Sequence, residues 1–305
     1  PPGGPKPRAQ RLAPRARRDL WRWVFDGPIR TQHAKGAETH AAQQLKQAIE
    51  TGQFEQAAPT PVSLVGAGPG GRDLITLRGV KRLQEADIIY YDRLVDPDIL
   101  ELARRDAERV YVGKAPGCHS WPQDKINQTL VSAAKRGLRV VRLKCGDPGI
   151  FARGAEEAAA LREAGIEYEI VPGVTAASGA AAAIGGFLTE RDAIRNLVFT
   201  TATLSDGTNK YGWIDHLTSD TTIAVYMGVK AAHDIQQALI DKGIAAMTRV
   251  TIVSNAQTDA QYVTTCQGDT LVRCMQDNTV SNPAIIFLKT GDMDVSKHHN
   301  FARLS

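Results

Sequence analysis

A glycine-rich segment follows the first strongly apolar run of the chain. Residues 62–65 lead into Gly66-Ala67-Gly68-Pro69-Gly70-Gly71, and Asp87 and Asp92 follow further on. A GxGxxG loop between a strand and a helix is typical of dinucleotide-binding sites, in which backbone amides approach a pyrophosphate and an acidic residue about 20 residues later binds the ribose. One interpretation is therefore an NAD-dependent dehydrogenase.

Two features of the same segment disfavour a nicotinamide site. Pro69 has no amide to offer a phosphate, and Arg72-Asp73-Leu74 delays the next helix to about Thr76. A tight strand-to-loop turn without any ligand is the plainer alternative. The later motifs have to decide between these interpretations.

Further short motifs follow the glycine loop in a defined order. They are Leu74–Leu77, Ala86–Val95, Val112-Gly113-Lys114, Pro122-Gln123 with Ile126-Asn127, Val140–Pro148, Val171–Gly179 and Tyr226-Met227-Gly228. Together with the glycine loop, the series strongly resembles the tetrapyrrole methylase family over about residues 62–290. Within that family it looks most like the enzymes that C-methylate uroporphyrinogen III to precorrin-2 in sirohaem and cobalamin biosynthesis.

The resemblance implies a cofactor as well as a fold. Two α/β domains would bind S-adenosylmethionine between them, in a homodimer, with S-adenosylhomocysteine as the product and no metal. The cofactor-binding positions that carry over to this sequence are Pro69, Cys145, Gly146, Asp147, Ile150, Thr175, Ala176, Met227 and Ala256.

The resemblance also assigns the reacting groups. Asp92 matches the family's base and Lys114 its proton donor, and both follow strands, which places them at the edge where open α/β sheets bind ligands. The plainer alternatives are an ion pair of Asp92 with Arg93 and a solvated Lys114. A carboxylate-rich substrate would suit basic side chains in the lining, for which the candidates are Arg93, Lys114, Lys144, Arg153 and Arg191.

Several positions depart from the family's usual residues. Glycine is usual at Cys145, Ala152, Ala155 and Ala256, phenylalanine at Gly149, arginine at Ala115 and histidine at Glu190. If φ is positive at Cys145 and Ala256, each would cost about 1 kcal/mol or more. We therefore expect weakened binding of cofactor or substrate, and a non-catalytic, dimerising remnant stays open as an alternative.

Charge excludes a general nucleic-acid binder. The net charge of the whole chain is +4, but residues 1–18 hold six basic and no acidic residues, so the remainder carries −2. A negative body argues against the RNA-methylating relatives of this family. The four cysteines show no CxxC spacing, which favours reduced thiols in the cytoplasm.

The N-terminal region has its own pattern. Residues 1–19 are rich in proline and basic residues and predict a disordered tail. Residues 20–58 predict short amphipathic helices, with a second helix from about Ala34 to Glu50. The segment from Arg17 to Asp26 looks like the dimerisation region that precedes the methyltransferase in multifunctional sirohaem synthases, whose dehydrogenase and ferrochelatase module is expected to be missing here.

Alternating strand and helix patterns predict the rest of the chain as an α/β protein. The predicted strands are Val62–Val65, Asp87–Tyr91, Arg109–Val112, Arg139–Leu143, Glu167–Val171, Leu197–Thr201, Thr222–Met227, Arg249–Ser254, Tyr262–Gln267 and Ala284–Lys289. We expect a mostly parallel subdomain over 62–186, a mixed-sheet subdomain over 187–292 and a tail over 293–305. Ile170–Thr189 is uncharged, but its proline and glycines predict a loop and a short helix rather than a membrane span.

Overall fold

The chain divides into two units, residues 1–60 and residues 61–305. The computed structural model describes residues 14–25, 27–54, 61–113, 121–202 and 211–290. Lys114 and the C-terminal tail therefore lie outside the described residues.

The first unit is helical where it is described. Its helices are α1 (Pro14–Phe25), α2 (Pro28–Ala34) and α3 (Glu38–Thr51). Val24, Ile29 and Ala41 form its small apolar core. Gly52 ends α3 with a φ of 71°, a left-handed conformation that glycine adopts without steric cost.

Two expectations for this unit are wrong. Residues 14–19 belong to α1 rather than to a disordered tail, because proline is favourable at the first position of a helix and the arginines and alanine after it are good helix formers. Helix α2 was not predicted, since it has seven residues and buries only Ile29, too little for a periodic pattern.

The second unit begins with a parallel sheet in the order β3-β2-β4-β1-β5. Its strands are β1 (Val62–Gly66), β2 (Ile88–Tyr91), β3 (Glu108–Tyr111), β4 (Val140–Lys144) and β5 (Tyr168–Val171). The helices of this part are α4 (Leu77–Glu85), α5 (Pro97–Leu100), α6 (Gln123–Lys135), α7 (Gly154–Glu163) and α8 (Ala176–Ala183). Strands β1 and β4 are buried along their whole length, as expected for a sheet covered on both faces.

A second sheet follows in the order β6-β7-β10-β8-β9. Its strands are β6 (Asn196–Thr201), β7 (Thr221–Tyr226), β8 (Thr248–Ser254), β9 (Tyr262–Gln267) and β10 (Ala284–Thr290), with helices α9 (Ala232–Asp241) and α10 (Leu271–Asp277). Only β6 and β7 pair in parallel. All ten predicted strands are present within a residue or two of their predicted ends, so the predicted α/β fold with a mixed second sheet is confirmed.

The connections of the first sheet diverge between β1 and β4, which are neighbours. Helix α4, which follows β1, covers one face of the sheet through Leu83. Helix α7, which follows β4, covers the opposite face through Ala158 and Leu161. Such a divergence opens a crevice at the carboxyl ends of the two strands, where open α/β sheets bind their ligands.

The uncharged stretch Ile170–Thr189 folds as the end of β5, a loop and the eight-residue helix α8. No helix among the described residues has the length and apolar character needed to cross a membrane.

Candidate active site at the carboxyl ends of the strands

The loops that follow β1 and β4 are hydrogen-bonded to each other. The Gly146 amide donates to the Gly68 carbonyl at 2.7 Å, and the Gly68 amide donates to the Gly146 carbonyl at 3.2 Å. The loop after β5 approaches the same point, since a Cβ built on Gly173 would lie 2.3 Å from the Gly146 carbonyl oxygen. Three loops therefore meet backbone to backbone, with no space for a side chain between them.

The second half of the glycine loop contacts the loop after β8. The Gly71 amide donates to the Gln257 carbonyl at 3.0 Å, and a Cβ on Gly70 would lie 2.7 Å from that oxygen. Helix α4 begins only at Leu77, capped by Thr76. The dinucleotide interpretation is therefore wrong, because the Gly71 amide is already used and the helix N-terminus is displaced from the glycines.

Asp147 holds two of these loops in place. One carboxylate oxygen accepts the Gly149 amide at 2.7 Å, and the other accepts the Gly173 amide at 3.0 Å. The first contact is the turn that a short acidic residue forms with the amide two residues on. Each carboxylate oxygen keeps further acceptor capacity, so this structural role leaves Asp147 able to bind a ligand donor.

Tyr226, at the end of β7, connects the second sheet to α8. Its hydroxyl lies 2.6 Å from the Thr175 hydroxyl and accepts the Ala177 amide at 3.1 Å. Its ring packs on Phe151 and Phe199, with centroids 4.9 Å and 5.9 Å away. Burial raises the pKa of Tyr226, so the hydroxyl stays protonated and available as a donor near neutral pH.

Left-handed backbone conformations are concentrated at these loops. The residues other than glycine with positive φ here are Phe151 (49°), Arg153 (56°), Met227 (55°), Asn255 (49°) and Gln257 (65°). Such conformations cost on the order of 1 kcal/mol or more each and are typical of functional sites. Cys145 and Ala256 do not share them, so the condition under which these two residues would strain the backbone is not met.

Eight of the nine predicted cofactor positions lie on these connected loops, and Ala176 is the first residue of α8. Pro69 packs against α8 closely enough that a Cβ on Gly179 would meet its ring at 2.3 Å. Ile150, Ala176 and Ala256 border one apolar cluster around α8. Met227 is 46% exposed although it directly follows the buried Tyr226. The remaining positions are those placed above: Cys145, Gly146, Asp147 and Thr175.

Asp92 lies just beyond β2, with its side chain 29% exposed. Its carboxylate accepts a hydrogen bond from the Arg142 guanidinium at 3.1 Å. The predicted alternative pairing with Arg93 is not the one observed, since Arg142 of the neighbouring strand β4 takes that place. The predicted proton donor, Lys114, lies outside the described residues.

Cys145 lies near enough to Asp92 to sense its charge. Burial, and secondly the negative charge of Asp92, raise the pKa of the Cys145 thiol to about 12. The thiol is therefore neutral at physiological pH. Asp92 and Cys145 follow the paired ends of β2 and β4, so the catalytic and cofactor-binding candidates lie at the same edge of the first sheet.

Lys144 does not line the crevice, contrary to expectation. It is 3% exposed, and its ammonium donates to both carboxylate oxygens of Glu157 at 3.0 Å and 2.9 Å. Of the other predicted cations, Arg153 pairs with Glu156, whereas Arg93 and Arg191 are exposed. A strand buried on both faces leaves no exposed position for Lys144, which therefore needs a buried acid.

Sequence reasoning missed several residues that build this site. Tyr226, Arg142, Glu157 and Gln257 were not singled out for a role. Arg142 and Lys144 did carry a signal, because two cations within a strand as apolar as β4 require buried partners. The contacts of Tyr226 and Gln257 join parts of the chain far apart in sequence and left no such signal.

Comparisons with known proteins agree with this architecture. The sequence model of the tetrapyrrole (corrin/porphyrin) methylase family matches residues 61–272. The family model of the sirohaem synthase dimerisation region matches residues 7–49. The chain is 44% identical over 273 residues to a sirohaem synthase from Chromobacterium violaceum, and the match covers 90% of this chain. It spans only 58% of the length of that relative, so less than two thirds.

Solved methyltransferase structures resemble about three quarters of the chain. A uroporphyrin-III C-methyltransferase from Thermus thermophilus, complexed with S-adenosylhomocysteine, is 33% identical with a TM-score of 0.65, covering 78% of this chain and 99% of that one. A cobalt precorrin-4 methyltransferase of cobalamin biosynthesis is 28% identical with a TM-score of 0.66, covering 75% of this chain and 94% of the other. With a family model that matches most of its length, this chain belongs to the tetrapyrrole (corrin/porphyrin) methylases.

Proposed function

We propose that this chain transfers methyl groups from S-adenosylmethionine to ring carbons of uroporphyrinogen III, forming precorrin-2 on the route to sirohaem and cobalamin. One observation carries the proposal: in a member of this family, the loops after β1, β4, β5, β7 and β8 converge where Asp92 presents a partly exposed carboxylate. The Thermus thermophilus relative, which carries that activity in its name, supports the choice of substrate.

The loops suit a ligand that is partly apolar. Met227 and Phe151 are 46% and 41% exposed, although hydrogen bonds and ring contacts hold the surrounding backbone. Exposed apolar side chains on such loops are typical of binding sites. We assign them, with Pro69 and Ile150, to the rings and the sulfur-bearing chain of the cofactor, and Asp147 to its polar groups.

S-adenosylmethionine, when bound, supplies the methyl group as an electrophilic carbon on a sulfonium. A ring carbon of the tetrapyrrole would form the new carbon–carbon bond as the methyl–sulfur bond breaks, S-adenosylhomocysteine would leave with that electron pair, and the ring must then lose a proton. Asp92 is the proposed acceptor of that proton, since its carboxylate is partly exposed and held by Arg142. Arg93 and Arg191, both exposed, are the cations proposed to bind substrate carboxylates, together with Lys114.

The test is anaerobic incubation with uroporphyrinogen III and methyl-labelled S-adenosylmethionine. Label in a dimethylated tetrapyrrole is the expected result. No label, with S-adenosylhomocysteine still binding in calorimetry, would instead identify a cofactor-binding remnant. If the protein neither transfers label nor binds S-adenosylhomocysteine, the proposal is overturned altogether.

The residues that replace the family's glycines give a quantitative expectation. Ala256 contributes a carbonyl that a Cβ on Gly70 would meet at 2.8 Å, and Cys145 adds a thiol beside Asp92. We expect the double substitution Cys145→Gly, Ala256→Gly to tighten S-adenosylhomocysteine binding by about threefold to tenfold, equivalent to about 1 kcal/mol. Calorimetry measures it, and an unchanged Kd would show that the two side chains do not obstruct the cofactor.

The homodimer is a second part of the proposal, supported by the dimerisation-region match over residues 7–49. Trp21 and Phe25 stack on α1 with centroids 5.6 Å apart, yet they are 43% and 60% exposed. Aromatic surface of this kind is typical of protein interfaces. We assign its coverage to a second copy of the chain.

The cytoplasm stays the proposed location, because Cys145, Cys266 and Cys274 are free thiols.

Substituting Trp21→Glu and Phe25→Glu together is expected to convert dimer to monomer at micromolar concentration, because two charges would replace the aromatic pair. Light scattering after gel filtration measures the molar mass. Met247→Glu, which alters a side chain that is equally exposed at 60% but lies in the second unit, is the control and should leave the mass unchanged. A double variant that remains dimeric would show that α1 is not the interface.

A further inference from the structure

Asp92 and three buried charged side chains form a continuous series of contacts. Arg142 is 3% exposed and donates through Nε to Glu157 at 2.9 Å, and through another nitrogen to Asp92 at 3.1 Å. Glu157 is fully buried and also accepts both hydrogen bonds from Lys144 described above. Two carboxylates and two cations thus link the first turn of α7 to the end of β2.

The guanidinium of Arg142 is fixed by more than its two acids. A third nitrogen donates to the Leu143 carbonyl at 2.9 Å and lies 3.5 Å from the Tyr90 carbonyl. A planar group held on several sides has one orientation, so the nitrogen that faces Asp92 is fixed as well. Glu157 is the acid that holds the buried side of this group.

Lys144 supplies the second positive charge of the group. Burial, and secondly the positive charge of Arg142, lower the pKa of Lys144, whereas Glu157 opposes that shift. A buried glutamate with two cations leaves one positive charge over, and Asp92 is the acid that balances it. With all four groups ionised, the two positive and two negative charges cancel.

We propose that Glu157 is a positioning residue for the methyl-transfer reaction: it holds Arg142 so that the carboxylate of Asp92 has one fixed orientation in the crevice. This inference rests on the proposed function, in which Asp92 accepts a proton. Glu157 itself is fully buried and does not reach the ligand, so it acts through Arg142.

The experiment compares Glu157→Gln with a substitution at another ion-paired acid, which is only partly buried and lies on the edge strand of the first sheet. Glu169 on β5 accepts hydrogen bonds from Arg82 and from Ser63, and its side chain is 23% exposed. We expect Glu157→Gln to lower kcat by about tenfold to a hundredfold, because small displacements of a reacting group cost that much. The Kd for S-adenosylhomocysteine should change less than threefold, and Glu169→Gln should leave kcat within twofold of wild type.

A double-substitution cycle separates positioning from general damage. In an Asp92→Asn background, Glu157→Gln should cause no further loss of the residual rate, because the group it positions is already inactive. Losses that multiply in the double variant would overturn the inference, as would a single variant that keeps wild-type kcat. If the wild type itself transfers no label, that result contradicts both the proposed function and this inference.

Loss of one buried charge can prevent folding, so a second variant removes two. Lys144→Met with Glu157→Gln takes away one positive and one negative charge and leaves Arg142 paired with Asp92. The same loss of kcat is expected from this neutral replacement, with thermal unfolding confirming that the protein is folded. A folded double variant with full kcat would contradict the role of Glu157.

Discussion

Asp92→Ala is expected to reduce methyl transfer by a factor of about 10² to 10⁴ while leaving the binding of S-adenosylhomocysteine nearly unchanged. That range is what a positioned general base contributes. Asp92 contacts Arg142 and is not among the positions assigned to the cofactor, so its removal should affect the proton transfer more than cofactor binding. Single-turnover measurement with methyl-labelled cofactor, paired with calorimetry, checks both halves.

The alanine variant also leaves Arg142 without one of its acids, so a second substitution is needed. Asp92→Asn keeps an oxygen that can accept the Arg142 hydrogen bond at the observed position but cannot take up a proton at neutral pH. It should lose the same activity as Asp92→Ala. Asp98→Ala, in the first turn of α5 on the same connection, is the control and should retain the wild-type rate. An Asp92→Asn variant at full rate would show that the base lies elsewhere.

The strands could be predicted from the sequence because burial determines their composition. Val62–Gly66 and Thr221–Tyr226 are buried at every position, and such apolar runs between turn-forming residues leave few alternatives to a strand. The resemblance supplied their functional context. Helix α2 was not predicted, because a short helix that buries one residue shows no hydrophobic periodicity in its sequence.

The backbone of the site could not be predicted in the same way. Sequence reasoning placed possible strain at Cys145 and Ala256, whereas positive φ occurs at the adjacent Gly146, Asn255 and Gln257. Which residue of a loop adopts this conformation depends on what the loop contacts, here the backbone of the glycine loop. Residue types alone carry little information about such a contact.

The buried charges of β4 could be predicted only in part. Arg142 and Lys144 stand in a buried strand, so a compensating acid was required by electrostatics alone. Its identity was not accessible, since Glu156 and Glu157 are adjacent in the first turn of α7 and only the packing of that helix buries the second. The exposed Glu156 pairs with Arg153 instead.

Gly173→Ala is expected to lower the free energy of unfolding by about 2–3 kcal/mol, as in other overpacked positions. The new Cβ would lie 2.3 Å from the Gly146 carbonyl oxygen and 2.8 Å from the Gly66 Cα. Both neighbours are backbone, and the loops they belong to are held by the paired hydrogen bonds between Gly68 and Gly146. The loops must therefore move apart.

Separation of these loops should also weaken S-adenosylhomocysteine binding by more than tenfold. Asp147 accepts the Gly173 amide, so a displaced Gly173 withdraws one of the two contacts that orient this carboxylate. Gly186→Ala is the matched control, because its nearest neighbour is a side-chain carbon of Ile184 at 3.3 Å that can shift, and its φ is not positive. Urea unfolding and calorimetry measure the two effects. A Gly173→Ala variant as stable as Gly186→Ala, with unchanged Kd, would show that the three loops do not need their close backbone contact to bind the cofactor.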